Sequence, residues 1–387
     1  MALEDRAKRD TIRWVHLQSD MHDLLTSVIS PLLSPSGGLR TNSLVSLILD
    51  NEGEPPLDVA FFAHSHLSKL RHLELSGCSI LSWDRLASQT TLLTSLVIFL
   101  PDDSLAPTMP QLLLILASNP YLRKLKLNPQ AIPESDDDGD GSSRVLLHHL
   151  EELRLDGDAA GEVFGPLRRL DHPKWVDIVL NLSHCVVPDI SQTIAPSLRD
   201  YLRRRGRSRR GLGLSLSCGG YITFIVGNAS RMNPSTSISS RMVPFMSITV
   251  GFDQAVPEDV LEKLTLDLIA HTPREDIVYF RTSENLEAVK DLGAQMPNLK
   301  ALDLLKVPLS AVFPMLDQNG PRADEMFPPS LQQLFLGLLV KSYDWVPLID
   351  FLIRRASSGN QLDSLRIDGP CHVFGTRSKG QAYGSEA

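Results

Sequence analysis

Cysteine is scarce in this chain, with four in 387 residues. The four stand at positions 78, 185, 218 and 371, and no two of them form a C-x-x-C pair or another metal-ligand spacing. Packed free thiols are therefore favoured over disulfides, which is typical of a protein from a reducing compartment.

Long apolar runs are also lacking. None approaches the ~18 residues that a membrane-spanning helix needs, and Met1 to Arg6 lack the apolar core of a signal peptide. The formal net charge of −8 argues against a general affinity for nucleic acid or an anionic membrane. We expect a cytoplasmic or nuclear protein that binds no membrane and has nucleic acid as an unfavoured partner.

Motifs of catalysis and cofactor binding are absent as well. The chain has no G-x-S-x-G, H-E-x-x-H, P-loop or G-x-G-x-x-G sequence. The acidic segment 134–143 imitates the first half of a calcium-binding loop, but Leu147 stands where the bidentate acid is required. A solvated loop is favoured over a calcium site. We expect that the chain is not an enzyme and that it binds neither a metal nor a cofactor.

What the sequence does contain is a repeated leucine pattern, clearest from Leu70 to Ile80. This stretch reads L-x-x-L-x-L-x-x-C-x-I, which is the leucine-rich-repeat signature. Leu73 and Leu75 are two residues apart, so an extended strand points both to one face and Glu74 to the other. One such unit cannot bury its apolar face alone, whereas stacked units can.

Further copies recur at intervals of roughly 23 to 32 residues, which overlap the period expected of these repeats. Their first positions are Ile12, Leu44, Leu93, Leu122, Leu150, Leu299, Leu331 and Leu362, and a looser copy runs through Leu180, Leu182, Cys185 and Val187. We predict an α/β fold: a leucine-rich-repeat solenoid over residues 12–370, with a curved parallel sheet on one side and helices on the other. A short extension (1–11) precedes it and a polar tail (371–387) follows it.

Helix signals alternate with these strands. We predict helices over 20–33, Thr108–Leu116, Ile190–Arg205, from Pro257, and over Tyr343–Arg355.

The repeat lapses in an irregular centre, residues 203–252. Alternation from Leu212 to Ser217 and from Tyr221 to Val226, around Cys-Gly-Gly, predicts a hairpin, and Met246–Val250 predicts a further strand. We therefore expect an antiparallel irregularity near residues 210–252.

The positions between the core leucines form rows on the other face of the strands, and these are the candidate protein-binding residues. They mix both charges with an apolar member, which suits a protein partner better than a polyanion. An uncommitted polar face would look the same, so that alternative stays open. The candidates are His72, Glu74, Lys124, Lys126, Glu152, Arg154, Asp303, Phe335 and Arg366.

A basic patch follows the helix predicted to end at Arg205. Such a patch suits nuclear import or phosphate binding; the alternative is a solvated helix end, where cations favour the C-terminal dipole. Arg199 leads into the patch, whose members are Arg203, Arg204, Arg205, Arg207, Arg209 and Arg210.

The phrases Leu67–Leu75, Leu112–Leu125 and Met296–Leu302 resemble basidiomycete-type fungal F-box/leucine-rich-repeat proteins, and the resemblance covers about residues 12 to 370. It implies the substrate receptor of an F-box ubiquitin ligase, in which the F-box binds the ligase adaptor and the repeats bind the substrate. Here only Met1 to Thr11 precede the first repeat, and no L-P-x-E phrase is present. The adaptor is therefore expected as a partner only if the gene model is truncated and has lost an F-box.

These observations predict a non-catalytic protein-recognition module, with the substrate-binding part of such a ligase as its implied role. The alternative is a nuclear or nucleic-acid-associated protein that acts through Arg199–Arg210.

Overall fold

The computed structural model describes most of the repeat region. It describes residues 13–19, 27, 43–51, 56–58, 67–80, 82–133, 144–173, 175–186, 188, 190–205, 212–218, 221–229, 242–252, 256–282, 296–307, 328, 330–338 and 346–368. The extension 1–11, the acidic loop 134–143, the tail 371–387 and all but Ser27 of the helix predicted over 20–33 lie outside these residues.

The chain is an α/β protein with a large, mostly parallel sheet and helices. It divides into two compact units, Met1–Ile277 and Val278–Ala387. The domain boundaries drawn from the sequence stay a prediction.

The first unit is built mainly from parallel strands. Its described strands are β1 (Trp14–Ser19), β2 (Ser46–Asn51), β3 (Leu57–Asp58), β4 (His72–Ser76), β5 (Cys78–Ser79), β6 (Ser95–Phe99), β7 (Lys124–Leu127), β8 (Val145–Leu146), β9 (Glu152–Gly157), β10 (Leu170–Asp171), β11 (Asp177–Cys185), β12 (Leu212–Cys218), β13 (Tyr221–Ala229) and β14 (Met242–Phe252). The main sheet runs β1-β2-β4-β6-β7-β9-β11-β14-β13-β12, and β3–β5 and β8–β10 form small separate pairs.

The core leucines of these strands are in register. Leu47, Leu73, Leu96, Leu125 and Leu153 are direct partners on successive strands and are all buried. A second row, two residues later in each strand, repeats the arrangement. Burying one leucine side chain contributes about 1.5–3 kcal/mol, so the rows hold the layers together as the sequence predicts.

Three strands of this unit, β4, β7 and β9, are entered through the same turn. The backbone N–H of Leu70 donates to the carbonyl of Leu67 at 2.9 Å, and Leu122 and Leu150 donate in the same way to residues three positions earlier. This turn places the first leucine of each repeat in the core before the strand begins.

The helices of this unit are α1 (Trp83–Gln89), α2 (Met109–Ser118), α3 (Ala160–Arg169), α4 (Ala195–Arg205) and α5 (Glu258–Ala270). Short 3₁₀ helices occupy Asp103–Leu105, Pro129–Ala131 and Arg274–Asp276.

The start of α2 confirms the predicted helix. Thr108 and Gln111 form a reciprocal capping box, and Pro110 lies in the first turn, where its missing N–H leaves no bond unmade. The helix predicted from Ile190 differs at its start, because Ile190–Ile194 winds as a π-helix before α4 begins. Such an extra residue in a turn is not encoded by apolar periodicity.

The antiparallel irregularity is confirmed. Strand β14 pairs in parallel with β11, and β13 then pairs antiparallel with both β14 and β12.

The second unit repeats the parallel arrangement. It contains β15 (Ile277–Thr282, which starts at the unit boundary), β16 (Ala301–Val307), β17 (Gln333–Leu338), α6 (Val346–Ser357) and β18 (Ser364–Asp368). Phe280, Leu302, Leu334 and Leu365 align across these strands. Leu365 is 36% exposed although its row partners are buried, because β18 is the last described strand of this sheet.

Helix α6 ends at Ser357, two residues after the predicted Arg355, and a Gly-Asn pair follows it. Gly359 adopts φ +78°, a left-handed conformation that terminates the helix. The buried guanidinium of Arg355 donates to the carbonyls of Asn360, Leu331 and Pro328, which ties α6 to the turn before β17.

Candidate functional site

The sequence-predicted candidates of the first unit lie together on one face of its sheet. His72, Lys124 and Glu152 occupy one row across β4, β7 and β9, with Ser95 of β6 between the first two. Glu74, Val97, Lys126 and Arg154 occupy the next row. We call these eight residues the strand face.

The strand face is half-exposed, whereas the leucines that alternate with it are buried. The charged side chains retain between 22% and 43% of their accessible surface. Strand β6 differs, because Ser95 and Val97 are buried between the longer side chains on either side. The face therefore carries charges on both sides of a short-chain strip.

Glu152 is the centre of the charge arrangement. Its carboxylate lies 2.8 Å from Nζ of Lys126 and 3.5 Å from Nζ of Lys124. Partial burial by itself would raise the pKa of Glu152, but hydrogen bonds and positive charge from the two lysines outweigh it and lower the pKa below its ordinary value of 4.5. The carboxylate is therefore ionised at neutral pH and holds both ammonium groups over the sheet.

A second fixed group lies beside it. Nε of Arg154 donates to both carboxylate oxygens of Asp156 at 3.1 Å, and Nδ2 of Asn181 donates to the same carboxylate at 2.6 Å. At the other side of the face, Nε2 of His72 is 3.6 Å from the carboxylate of Glu74. Side chains held in this way lose less conformational entropy when a partner binds.

Sequence reasoning missed Asp156 and Asn181. They stand two residues after Arg154 and Val179 in their strands, so the same alternation would have placed them on this face.

In the second unit, the expectation that Asp303 and Phe335 are exposed is wrong. They are 0% and 2% exposed. Oδ2 of Asp303 accepts a hydrogen bond from the Tyr279 hydroxyl at 3.0 Å and lies 3.8 Å from Nε of Arg281. Of the three candidates in this unit, Arg366 alone is exposed. Alternation predicts the face of the sheet to which a side chain points, but not whether other residues cover that face. The burial of Asp303 and Phe335 could therefore not be predicted from the sequence.

The structure describes only part of the predicted basic patch. Arg203 and Arg204 are exposed on the last turn of α4, and Nε of Arg204 donates to the carbonyl of Asp200 at 3.3 Å. Arg199 lies 3.8 Å from the Asp200 carboxylate. The side chain of Arg205 and all of Arg207, Arg209 and Arg210 lie outside the described residues.

The described cysteines are placed for packing rather than reaction. Cys78 and Cys185 are buried and form no disulfide. Burial, with the negative charge of Asp50, raises the pKa of the Cys78 thiol to about 12, and a backbone hydrogen bond at Ser76 opposes this rise. A thiol in that state carries almost no thiolate at neutral pH.

Within the part of the chain that the structure describes, no cluster of three or more histidine, cysteine or acidic side chains is arranged to hold a metal ion. In that same part, every helix is too short or too polar to cross a membrane. Comparisons with protein-family models, curated proteins and solved structures find no match.

Proposed function

We propose that this chain is a leucine-rich-repeat protein without catalytic activity and that its strand face binds another protein. The repeat assignment is supported by the aligned leucine rows and by the turn that recurs before β4, β7 and β9. A rigid, regularly spaced scaffold of this kind presents side chains in fixed rows.

One observation carries the binding proposal. Six charged or ionisable side chains of both signs are held half-exposed on three parallel strands, and the short side chains of β6 lie between them. A polyanion requires a field of one sign, whereas rows of mixed charge complement a protein surface of mixed charge. This arrangement favours a protein partner.

The resemblance to F-box/leucine-rich-repeat proteins leads us to propose a more specific role. The bound protein would be a substrate for ubiquitylation, with this chain acting in the cytoplasm or nucleus as the substrate-binding part of a ligase receptor. Binding and the ligase role are separable proposals.

The experiment that tests binding is site-specific crosslinking. A photo-reactive amino acid replaces Lys126 on the strand face, and the matched control replaces Lys263, which is exposed on α5. In cells, a discrete adduct is expected from position 126 and not from 263, and Arg154→Glu should abolish it. Identical adducts at both positions, or none at 126, would contradict the proposal.

The ligase role has its own readout. The half-life of the crosslinked protein should lengthen several-fold when this chain is deleted. An unchanged half-life would remove the ligase role and leave binding intact.

A second candidate function is a nuclear or nucleic-acid-associated role through Arg199–Arg210. The exposed, adjacent guanidinium groups of Arg203 and Arg204 favour it, and the net charge of −8 opposes it. Replacing both with glutamine should reduce the salt dependence of DNA binding by about two ions and reduce nuclear accumulation. No change in either measurement would dismiss this candidate.

A further inference from the structure

A pocket of about 140 Å³ lies between α3, α4 and the β8–β10 pair, elements that carry no strand-face residue. Leu167 at the end of α3 and Leu170 of β10 form its apolar lining. Both leucines are buried, so this wall is part of the core and is already in place without a ligand.

Two arginines from distant parts of the chain line the same pocket. Arg144 stands directly before β8 and Arg204 lies on the last turn of α4. Among the lining residues that the structure describes, Asp171 is the one carboxylate. In the described part of the chain, no carboxylate is within salt-bridge distance of either guanidinium.

The orientation of Arg204 leaves most of its donors available. Its Nε is used by the carbonyl of Asp200, one turn earlier in the same helix. This bond fixes the side chain along α4, and the two terminal amino groups remain for another acceptor. Two arginines that line one pocket from different elements suit a ligand with oxygens in several directions.

An aromatic pair forms a further side of the pocket. The rings of His172 and Tyr201 are stacked with centroids 5.7 Å apart and planes 27° from parallel. Tyr201 is 8% exposed, so the pair is held by packing. The pair therefore gives the pocket a fixed aromatic side.

The size of the pocket decides what fits. It is smaller than the ~300–1,000 Å³ of sites for drug-sized ligands, and close to the ~150 Å³ cavity that holds one benzene molecule. A nucleotide cannot be enclosed there, whereas one small anionic group with a few atoms attached can. A carboxylate is satisfied by one guanidinium fork, and a tetrahedral phosphate offers oxygens to two.

We propose that this pocket binds a phosphate group, either free phosphate or the head of a small phosphate monoester, between Arg144 and Arg204. The inference is independent of the strand face. It also gives Arg204 a role separate from the nuclear or nucleic-acid one.

The test is calorimetric titration of the full chain with inorganic phosphate and, separately, with glycerol 3-phosphate, at constant ionic strength set by chloride. Saturable one-site binding is expected. Arg144→Gln and Arg204→Gln should each weaken it about tenfold or more, because each removes a charged donor. Arg204→Lys should weaken it less, because it keeps the charge but loses the fork. The matched control is Arg203→Gln, which removes a neighbouring exposed charge that does not line the pocket.

The two titrants distinguish the two sources. Tighter binding of the monoester than of phosphate identifies an organic phosphate that uses the leucine wall, and equal binding identifies free phosphate. The proposal is overturned by absence of saturable binding, or by equal weakening in the Arg203→Gln control, which would indicate general electrostatic attraction. Thermal melts of each variant confirm folding, and the crosslinking from position 126 should be unaffected throughout.

Discussion

The sharpest prediction concerns two neighbouring residues of β4 that face opposite sides of the sheet. Leu73 is fully buried between its row partners Leu47 and Leu96. Leu73→Ala leaves a cavity in the buried leucine row, and comparable substitutions cost about 2–5 kcal/mol. Glu74 is 35% exposed and its carboxylate lies 3.6 Å from Nε2 of His72, a half-exposed contact worth less than about 0.5 kcal/mol.

The assay is urea unfolding followed by circular dichroism, with wild-type and both variants at pH 7. We expect the midpoint to fall clearly for Leu73→Ala and to stay within error for Glu74→Ala. The difference between the two variants is the informative quantity, since both delete atoms at adjacent positions of one strand. Equal losses, or a larger loss for Glu74→Ala, would mean that the strand is shifted by one residue and that the leucine and charged rows have exchanged faces.

Four further outcomes are expected. Gly77→Ala should destabilise the first unit by about 2 kcal/mol or more in the same assay, because φ is +61° and a Cβ would lie 1.9 Å from the carbonyl oxygen of Asn51; a neutral result would contradict this close approach. Asn119→Ala should cost about 1–3 kcal/mol by thermal melting, since this buried amide links two backbone groups; a cost below that of an exposed-site control would contradict it. Iodoacetamide at pH 8 should leave Cys78 unmodified in the folded chain and alkylate it in urea, as read by mass spectrometry, because burial holds the thiol protonated. The lowered pKa of Glu152 stabilises the fold above the unfolded pKa and this contribution is lost as pH falls through the folded one, so melting temperatures of wild-type and Glu152→Gln should converge below about pH 4.5; parallel curves from pH 3 to 7 would exclude the linkage.

The parallel layers could be predicted because their signal is local. Leu73 and Leu75 are two residues apart, and that spacing alone fixes which side chains share a face. The same spacing recurs in successive repeats, so the row partners follow from matching copies. The helix start at Thr108 was also predicted, because capping depends on residue types within one turn.

The rest depends on residues far apart in the chain. The burial of Asp303 and Phe335 is set by what lies over the sheet, which a period of two cannot report. Arg144 and Arg204 reach one pocket only because α4 ends beside β8, and no sequence spacing encodes that proximity. The charge group around Glu152 was predicted as a row, but its hydrogen bonds needed the register between strands.

The order of strands at the centre of the first unit has a consequence for synthesis on the ribosome. Strand β11 is covered on its free side by β14, not by the next strand made. Its partner emerges roughly 70 residues later, which at about 5–20 residues per second takes several seconds. During that interval the nascent chain presents an open hydrogen-bonding edge. Translation speed through residues 186–252, as set by codon choice, therefore governs how long the half-made protein is open to pairing with other chains.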